Sequence, residues 1–287
     1  MVELALYKVD TKSTWCPGCG DFAVLRGLQT ALTVLKINPK DVLVVSGIGC
    51  SSNLPGFLKS YAFHGLHGRP VPVASGAKLA NHELNVIVTS GDGDGYGIGL
   101  GHFIHAMRRN VDITYIVMNN QVYGLTTGQA SPTAEKSMIT KSSPTGVIEI
   151  PINPISLALV SGATYVARGF SGDADYLAKM IEQGIKHKGF SLVDVLSPCV
   201  TYNKQNTYQW FRERVSRLED DNHNTQNLEQ AMRRSQEWDA NIPTGVFYES
   251  KRATYEDEDP SLQNGPLVKQ PIEQGRDLAR ELLGGFV

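Results

Sequence analysis

Residues 86–93 read VIVTSGDG, and residues 113–120 read ITYIVMNN. Each is a short apolar run, rich in β-branched residues, that stops at a polar turn, which is the pattern of a buried strand. Twenty-five residues separate Gly93 from Asn119, enough for one helical crossover, and the pattern at 97–109 supplies it. Two strands joined in this way lie parallel in one sheet. The same alternation extends outward. A helix at 20–36 carries Leu25, Leu28, Leu32 and Leu35, and a strand at 42–46 (VLVVS) ends in Gly47-Ile48-Gly49. A long loop follows Asn120, then helices near 153–162 and 173–188 alternate with strands at 164–168 and 191–196 (SLVDVL). The fold class is therefore α/β, a mostly parallel sheet with helices on both faces. Ligands of such sheets sit where strands end and the next helices begin, and both GIGC and GDGDG fall on that edge.

The remainder of the chain changes character. Residues 203–241 are polar and helical in pattern, with Trp210, Phe211 and Trp238 among many charges. Residues 250–275 contain EDEDP and Asn264-Gly265-Pro266 and read as an extended arm, and a short amphipathic helix at about 272–283 closes the chain. The division is thus a domain at 1–205 and a helical C-terminal extension and arm at 206–287, suited to docking on a partner. Lys and Arg total 27 against 29 Asp and Glu, a net charge of −2, which argues against nucleic acid, because phosphate binding needs a basic face. No apolar run reaches the ~18–20 residues of a membrane span. The N-terminal MVELALYKVD lacks the layout of a signal peptide, so a cytoplasmic, reducing location is expected. In that setting four cysteines point to metal or catalysis before disulfides.

Asp92 arrives at the sheet edge between glycines that let a backbone approach a phosphate closely. Asn120 arrives beside it one crossover later. A carboxylate, an amide oxygen, a backbone carbonyl and two phosphate oxygens form a hard cage suited to Mg²⁺. Either turn alone is ordinary punctuation; the pair, each ending an apolar strand, is the informative feature. The second feature is Cys16-Pro17-Gly18-Cys19, with Cys50 and Cys199 far away in sequence. Cys50 and Cys199 both follow strand ends on the same edge. Four thiolates suit an iron–sulfur cluster or zinc; a redox dithiol and plain buried thiols are the other readings.

GDG, about 25 residues and then NN resembles the thiamine-diphosphate motif. That resemblance implies Mg²⁺ held by Asp92, Asn120 and the carbonyl of Val122, with Gly91, Gly93 and Asp94 at the diphosphate. It also implies a composite site, in which a pyrimidine-binding domain supplies a cofactor-activating Glu. This chain holds one half only, so the Glu is expected on another polypeptide. The series WCPGCGDF, GIGCSS, HGLHGR, GDGDG…NN, YGLTTGQASPT and SPCVTYN closely resembles the beta subunit of 2-oxoacid:ferredoxin oxidoreductases, across roughly residues 12–205. The resemblance implies that Cys16, Cys19, Cys50 and Cys199 hold one [4Fe–4S] cluster. Ile48, Gly49, Cys50 and Ser51 form the loop at the cofactor; His67 and Gly68 lie near the diphosphate, and Gly124 and Leu125 line the far side.

The implied activity is CoA-dependent oxidative decarboxylation of a 2-oxoacid, reversible in principle, with electrons passing through the cluster to ferredoxin. The implied partner is an alpha, or fused gamma-alpha, subunit. YGLTTGQ looks nearer the 2-oxoglutarate and broad-range enzymes than the pyruvate enzymes, which points to succinyl-CoA and CO₂ as products. Thr127 and Asn53, however, stand where relatives often have Lys, which removes possible partners for a distal carboxylate and keeps pyruvate or broad-range activity open. His64 and His67 are candidate catalytic residues near substrate or diphosphate, whereas His102 and His105 read as ordinary packing on a helix. The rival readings are a zinc-stabilised non-catalytic scaffold and a cluster-free thiamine decarboxylase.

Overall fold

The computed structural model describes residues 3–271 and 276–285. In chain order the elements are α1 (Asp21–Val34), β1 (Val42–Ser46), β2 (Tyr61–His64), α2 (Pro70–Ala80), β3 (Asn85–Gly91), α3 (Leu100–Arg109) and β4 (Thr114–Asn119). A two-stranded hairpin follows, β5 (Val122–Tyr123) with β6 (Gln129–Ala130), then α4 (Pro154–Val160), β7 (Tyr165–Phe170), α5 (Ala174–Lys186) and β8 (Ser191–Leu196). The last part contributes α6 (Tyr208–Arg212), β9 (Val215–Arg217), α7 (Leu228–Ser235), β10 (Ile242–Glu249), α8 (Tyr255–Glu258) and α9 (Arg276–Gly284). Of the closing helix expected at 272–283, residues 272–275 lie outside the described residues.

Eight strands form one sheet in the order β2-β1-β3-β4-β8-β7-β10-β9. From β2 to β7 every neighbouring pair is parallel; β10 runs antiparallel to β7, and β9 is parallel to β10. The strands are apolar on both sides because both faces are covered, as a buried parallel sheet requires. Successive residues sort between two cores by the period of two. Val42, Val44, Ile87, Ile116, Met118 and Val193 meet α1 and α5 on one face. Val45, Val86, Val88, Tyr115, Val117 and Leu192 meet α2, α3 and α4 on the other.

Two differences from the sequence reading have physical causes. The stretch 61–80, for which the sequence reading names no element, forms β2 and α2. β2 is an edge strand whose four residues are exposed, so no burial pattern marks it, and α2 (PVPVASGAKLA) is built of small residues that give a weak apolar stripe. The extension at 206–287 is also not simply helical. β10 buries Phe247 in the second core and joins the main sheet, its strand pattern masked by Pro243 and Gly245. The arm that follows is anchored on this chain's own domain. Asn110 Nδ2 donates to the carbonyls of Arg252 and Ala253 (3.0 and 3.1 Å), and the Glu256 carboxylate accepts from the Asp112 N–H (3.2 Å).

Candidate active site

Five adjacent parallel strands, β2-β1-β3-β4-β8, deliver their C-terminal ends to one edge, and every chemistry-bearing segment except the Cys16–Cys19 turn, which precedes α1, follows one of them. Ile48–Ser51 leave β1, His67 and Gly68 follow β2, Asp92–Asp94 follow β3, Asn120 follows β4 and Cys199 follows β8. A cavity of about 160 Å³ opens there, lined by Ile48, Gly49, Cys50, Ser51, His67, Gly91, Asp92, Gly93, Asp94, Asn120, Val122, Tyr123, Gly124, Leu125 and Thr126. It gathers the expected cofactor residues. Gly68 borders it through Asp94, whereas His64, at the exposed end of β2, is not among its lining residues.

Asp92 is buried, and burial holds its carboxyl above the usual carboxylate range. Its Oδ2 accepts from the hydroxyls of Ser131 and Thr133, which occupies one face of the carboxylate. Asn119 and Asn120 part company at the end of β4. Asn119 turns into the protein, where its Oδ1 accepts from Thr133 (2.9 Å) and its Nδ2 donates to Asp194 (3.3 Å). Asn120 stays at the cavity, its Oδ1 accepting from the Val122 N–H (3.1 Å) and its carbonyl from Asn203 Nδ2 (3.0 Å). Gln121 carries the turn with φ of +63°. Asp92, Asn120 and the Val122 carbonyl thus form a hard-oxygen donor set that fits a Mg²⁺-bound diphosphate, with a buried carboxylate that gains from a cation.

Asp94, expected to face the diphosphate, lines the cavity. Its Oδ1 accepts from the N–H groups of Gly68 (2.7 Å) and Ile48 (3.1 Å) and lies 2.8 Å from His67 Nδ1. It ties three loops together. Gly68, with φ of +69°, is required here, since a Cβ would come within 2.3 Å of Ile98 Cγ2. Tyr123 O–H braces the Gly93 carbonyl (3.2 Å).

A second cavity of about 180 Å³ adjoins the first. Cys16, Cys19, Cys50 and Cys199 line it, and Cys50, Asn120, Gly124 and Leu125 belong to both. Gly124 sits against the sulfurs, an added Cβ reaching 3.5 Å from Cys50 Sγ and 3.8 Å from Cys199 Sγ. Trp15 Nε1 donates to the Cys50 carbonyl (2.7 Å), fixing that loop against the CPGC turn. Burial pushes the Cys50 thiol up to about 11 and raises Cys19 further, with Asp21 and neighbouring thiols adding to both. Such a crowd of thiols takes on thiolate character only against a strong positive charge. Among the described residues no three Cys, His, Asp or Glu side chains converge on a single-ion site. Four thiols lining one cavity are the donor set of an iron–sulfur cluster or of a zinc ion.

Sequence reasoning missed Ser131, Thr133, Tyr123, Thr126, Asn203 and Asp21, whose Oδ1 accepts from Ser197 Oγ (2.9 Å). All six stand inside the YGLTTGQASPT, SPCVTYN and WCPGCGDF segments, and their positions in those segments were the available signal.

A diphosphate cradle and metal-binding Asp–Asn pair at the ends of a parallel sheet define the thiamine-diphosphate enzymes. Residues 47–195 match the family model for the C-terminal, TPP-binding domain of thiamine pyrophosphate enzymes. Residues 199–264 match the model for the C-terminal part of the pyruvate ferredoxin oxidoreductase beta subunit. The 2-oxoacid:ferredoxin oxidoreductase 1 subunit beta of Aeropyrum pernix is 42% identical over 99% of this chain and 96% of its own length. The corresponding protein of Saccharolobus solfataricus is 46% identical over 90% of each chain. A solved structure of 2-oxoglutarate:ferredoxin oxidoreductase from Magnetococcus marinus, with 2-oxoglutarate, coenzyme A and succinyl-CoA bound, superposes with a TM-score of 0.91. That match has 38% identity and covers 98% of this chain and 95% of that one. The chain belongs to the beta subunits of the 2-oxoacid:ferredoxin oxidoreductase family.

Proposed function

We propose that this chain is the diphosphate- and cluster-holding subunit of an enzyme that converts 2-oxoglutarate and CoA to succinyl-CoA and CO₂, passing electrons to ferredoxin. The observation that carries the reading is the shared wall: Cys50, Asn120, Gly124 and Leu125 border both the diphosphate cavity and the four-thiol cavity. Substrate oxidation and electron uptake then occur side by side. Asp92, Asn120 and the Val122 carbonyl hold Mg²⁺ on the diphosphate; Cys16, Cys19, Cys50 and Cys199 hold a [4Fe–4S] cluster. Bound thiamine diphosphate supplies the nucleophilic carbon that makes decarboxylation of a 2-oxoacid feasible.

The chain's own residues do the positioning. Ser131 and Thr133 orient Asp92, Asp94 clamps the Ile48 and Gly68 loops around the diphosphate, and His67, held by Asp94 at Nδ1, is the candidate for a direct role. His64 has no such support. Among the described residues no glutamate lines the cavity, which supports an activating Glu on an alpha-type partner. The rim presents Phe63, Leu66, Ile98 and Leu125 to solvent, with Leu66 75% exposed, an apolar surface suited to being covered by that partner. Residues 1–205 hold the cofactors in this reading; residues 206–287 add strands to the sheet and carry further partner contacts through exposed Leu267 and Val268.

Thr127 and Asn53 in place of lysines favour a second reading, a broad-range 2-oxoacid enzyme. Viologen reduction by the complex with 2-oxoglutarate, pyruvate or 2-oxobutyrate, with and without CoA, tests both. CoA-dependent reduction fastest with 2-oxoglutarate is expected. Full CoA-dependent turnover by the isolated chain would contradict a half-site.

A further inference from the structure

Thr133, which orients Asp92, and Asn119 beside it also line a separate cavity of about 220 Å³, larger than the diphosphate and thiol cavities. Two polar atoms of its lining residues are buried without a hydrogen-bond partner among the described residues: Arg168 Nε and Gln121 Oε1. Both side chains are almost fully enclosed, the residues being 1% and 3% exposed. The Arg168 guanidinium packs over the rings of Trp238 (5.4 Å) and Phe247 (5.3 Å), and its Nη1 donates to the Pro243 carbonyl (3.4 Å). Gln121 is fixed by its other end, Nε2 donating to the Thr133 carbonyl (3.2 Å). One orphan is a charged donor and the other an acceptor, and buried groups of this kind ordinarily meet a partner.

The rest of the wall narrows what that partner is. Asp194 and Glu135 line the same cavity. Glu135 is held by Asn206 Nδ2 (2.9 Å), Trp238 Nε1 (3.0 Å) and Gln205 Nε2 (2.8 Å), and Asp194 by Tyr96 O–H (2.8 Å) and Asn119 Nδ2 (3.3 Å). Two carboxylates repel a plain anion, and Arg168 repels a plain cation. A molecule that carries both charges satisfies both: its carboxylate takes a charge-assisted bond from Arg168 Nε, and its ammonium donates to Gln121 Oε1 in the field of the two carboxylates. Pro151, Ile152, Pro154 and Trp238 supply the apolar remainder of the wall, the usual make-up of a small-molecule site. The volume equals that of roughly seven waters, the scale of one aliphatic amino acid.

We propose that this cavity is a binding site for a zwitterionic α-amino acid with an aliphatic side chain, its carboxylate on Arg168 and its ammonium on Gln121. Among the described residues it shares no lining residue with the diphosphate or thiol cavities, so the site stands independently of the reaction proposed above.

The experiment is calorimetric titration of the complete complex with L-leucine, set against isocaproate, which lacks the ammonium, and isoamylamine, which lacks the carboxylate. Saturable binding of leucine is expected, with both analogues weaker by roughly tenfold or more, the scale of one lost hydrogen bond to a charged group. Two variants locate the site. Ile152→Trp fills the cavity from a half-buried position without removing a polar contact, and is expected to abolish leucine binding while thermal unfolding shows the fold intact. Gln121→Met removes the acceptor and is expected to weaken leucine about tenfold. A flat titration up to millimolar leucine means that the two orphaned groups meet only water, and overturns the proposal. Equal binding of leucine and either analogue, or leucine binding that survives in folded Ile152→Trp or is unchanged in folded Gln121→Met, overturns it as well.

Discussion

In the proposed site Asp92 is suited to ligate a metal because its other contacts are already fixed. The hydroxyls of Ser131 and Thr133 hold Oδ2, and Thr133 also touches Asn119. Groups that orient a metal ligand typically govern affinity by 10–100-fold. Thr133→Val, which keeps the shape and removes the donor, is therefore predicted to weaken Mg²⁺–thiamine diphosphate binding to the complex by roughly 10–100-fold, measured by titration of tryptophan fluorescence. Asp194 closes the same network, accepting from Tyr96 O–H (2.8 Å) and Asn119 Nδ2. Burial pushes its carboxyl up to about 6, above the ~3.9 of an unfolded chain. The folded protein thus holds this proton more tightly. The stability it contributes is complete below about pH 4 and is lost as pH rises through 6, on the order of 2–3 kcal/mol. Asp194→Asn is predicted to flatten that part of the stability profile, read from urea unfolding between pH 4 and 7; an unchanged slope would refute the assignment.

At the scale of elements, β10 binds the C-terminal extension into the main sheet. Phe247 is fully buried and lies under the Arg168 guanidinium, 5.3 Å from its ring centroid. Phe247→Ala is predicted to cost about 3–5 kcal/mol, seen as a single cooperative loss of stability in thermal unfolding; a separate low-temperature transition would instead mark the extension as its own unit. The parallel strands β1, β3 and β4 were legible because Val/Ile-rich runs end at turns, β7 and β8 because short apolar stretches alternate with helical ones, and the Asp92–Asn120 pairing followed from their spacing. β2 was illegible since an exposed edge strand has no apolar period. β10 was hidden by Pro243 and Gly245. The turning of Asp94 toward Ile48 and Gly68, and the meeting of Arg168 and Gln121 at one cavity, depend on which segments meet in space, and nothing local in the chain encodes that.

At the scale of the molecule, the proposed hard-oxygen metal site and the four thiols lie on opposite sides of a shared wall, beside an exposed apolar rim. No helix among the described residues is long and apolar enough to cross a membrane. As proposed, the arrangement is half of a composite redox site, with Cys50, Gly124 and Leu125 standing between substrate and electron acceptor. The most direct test is the iron, acid-labile sulfide and zinc content of the anaerobically purified chain. Iron and sulfide in equal amounts, about four of each per chain, with both lost in Cys199→Ser, are the predicted result. One zinc per chain without sulfide would contradict it.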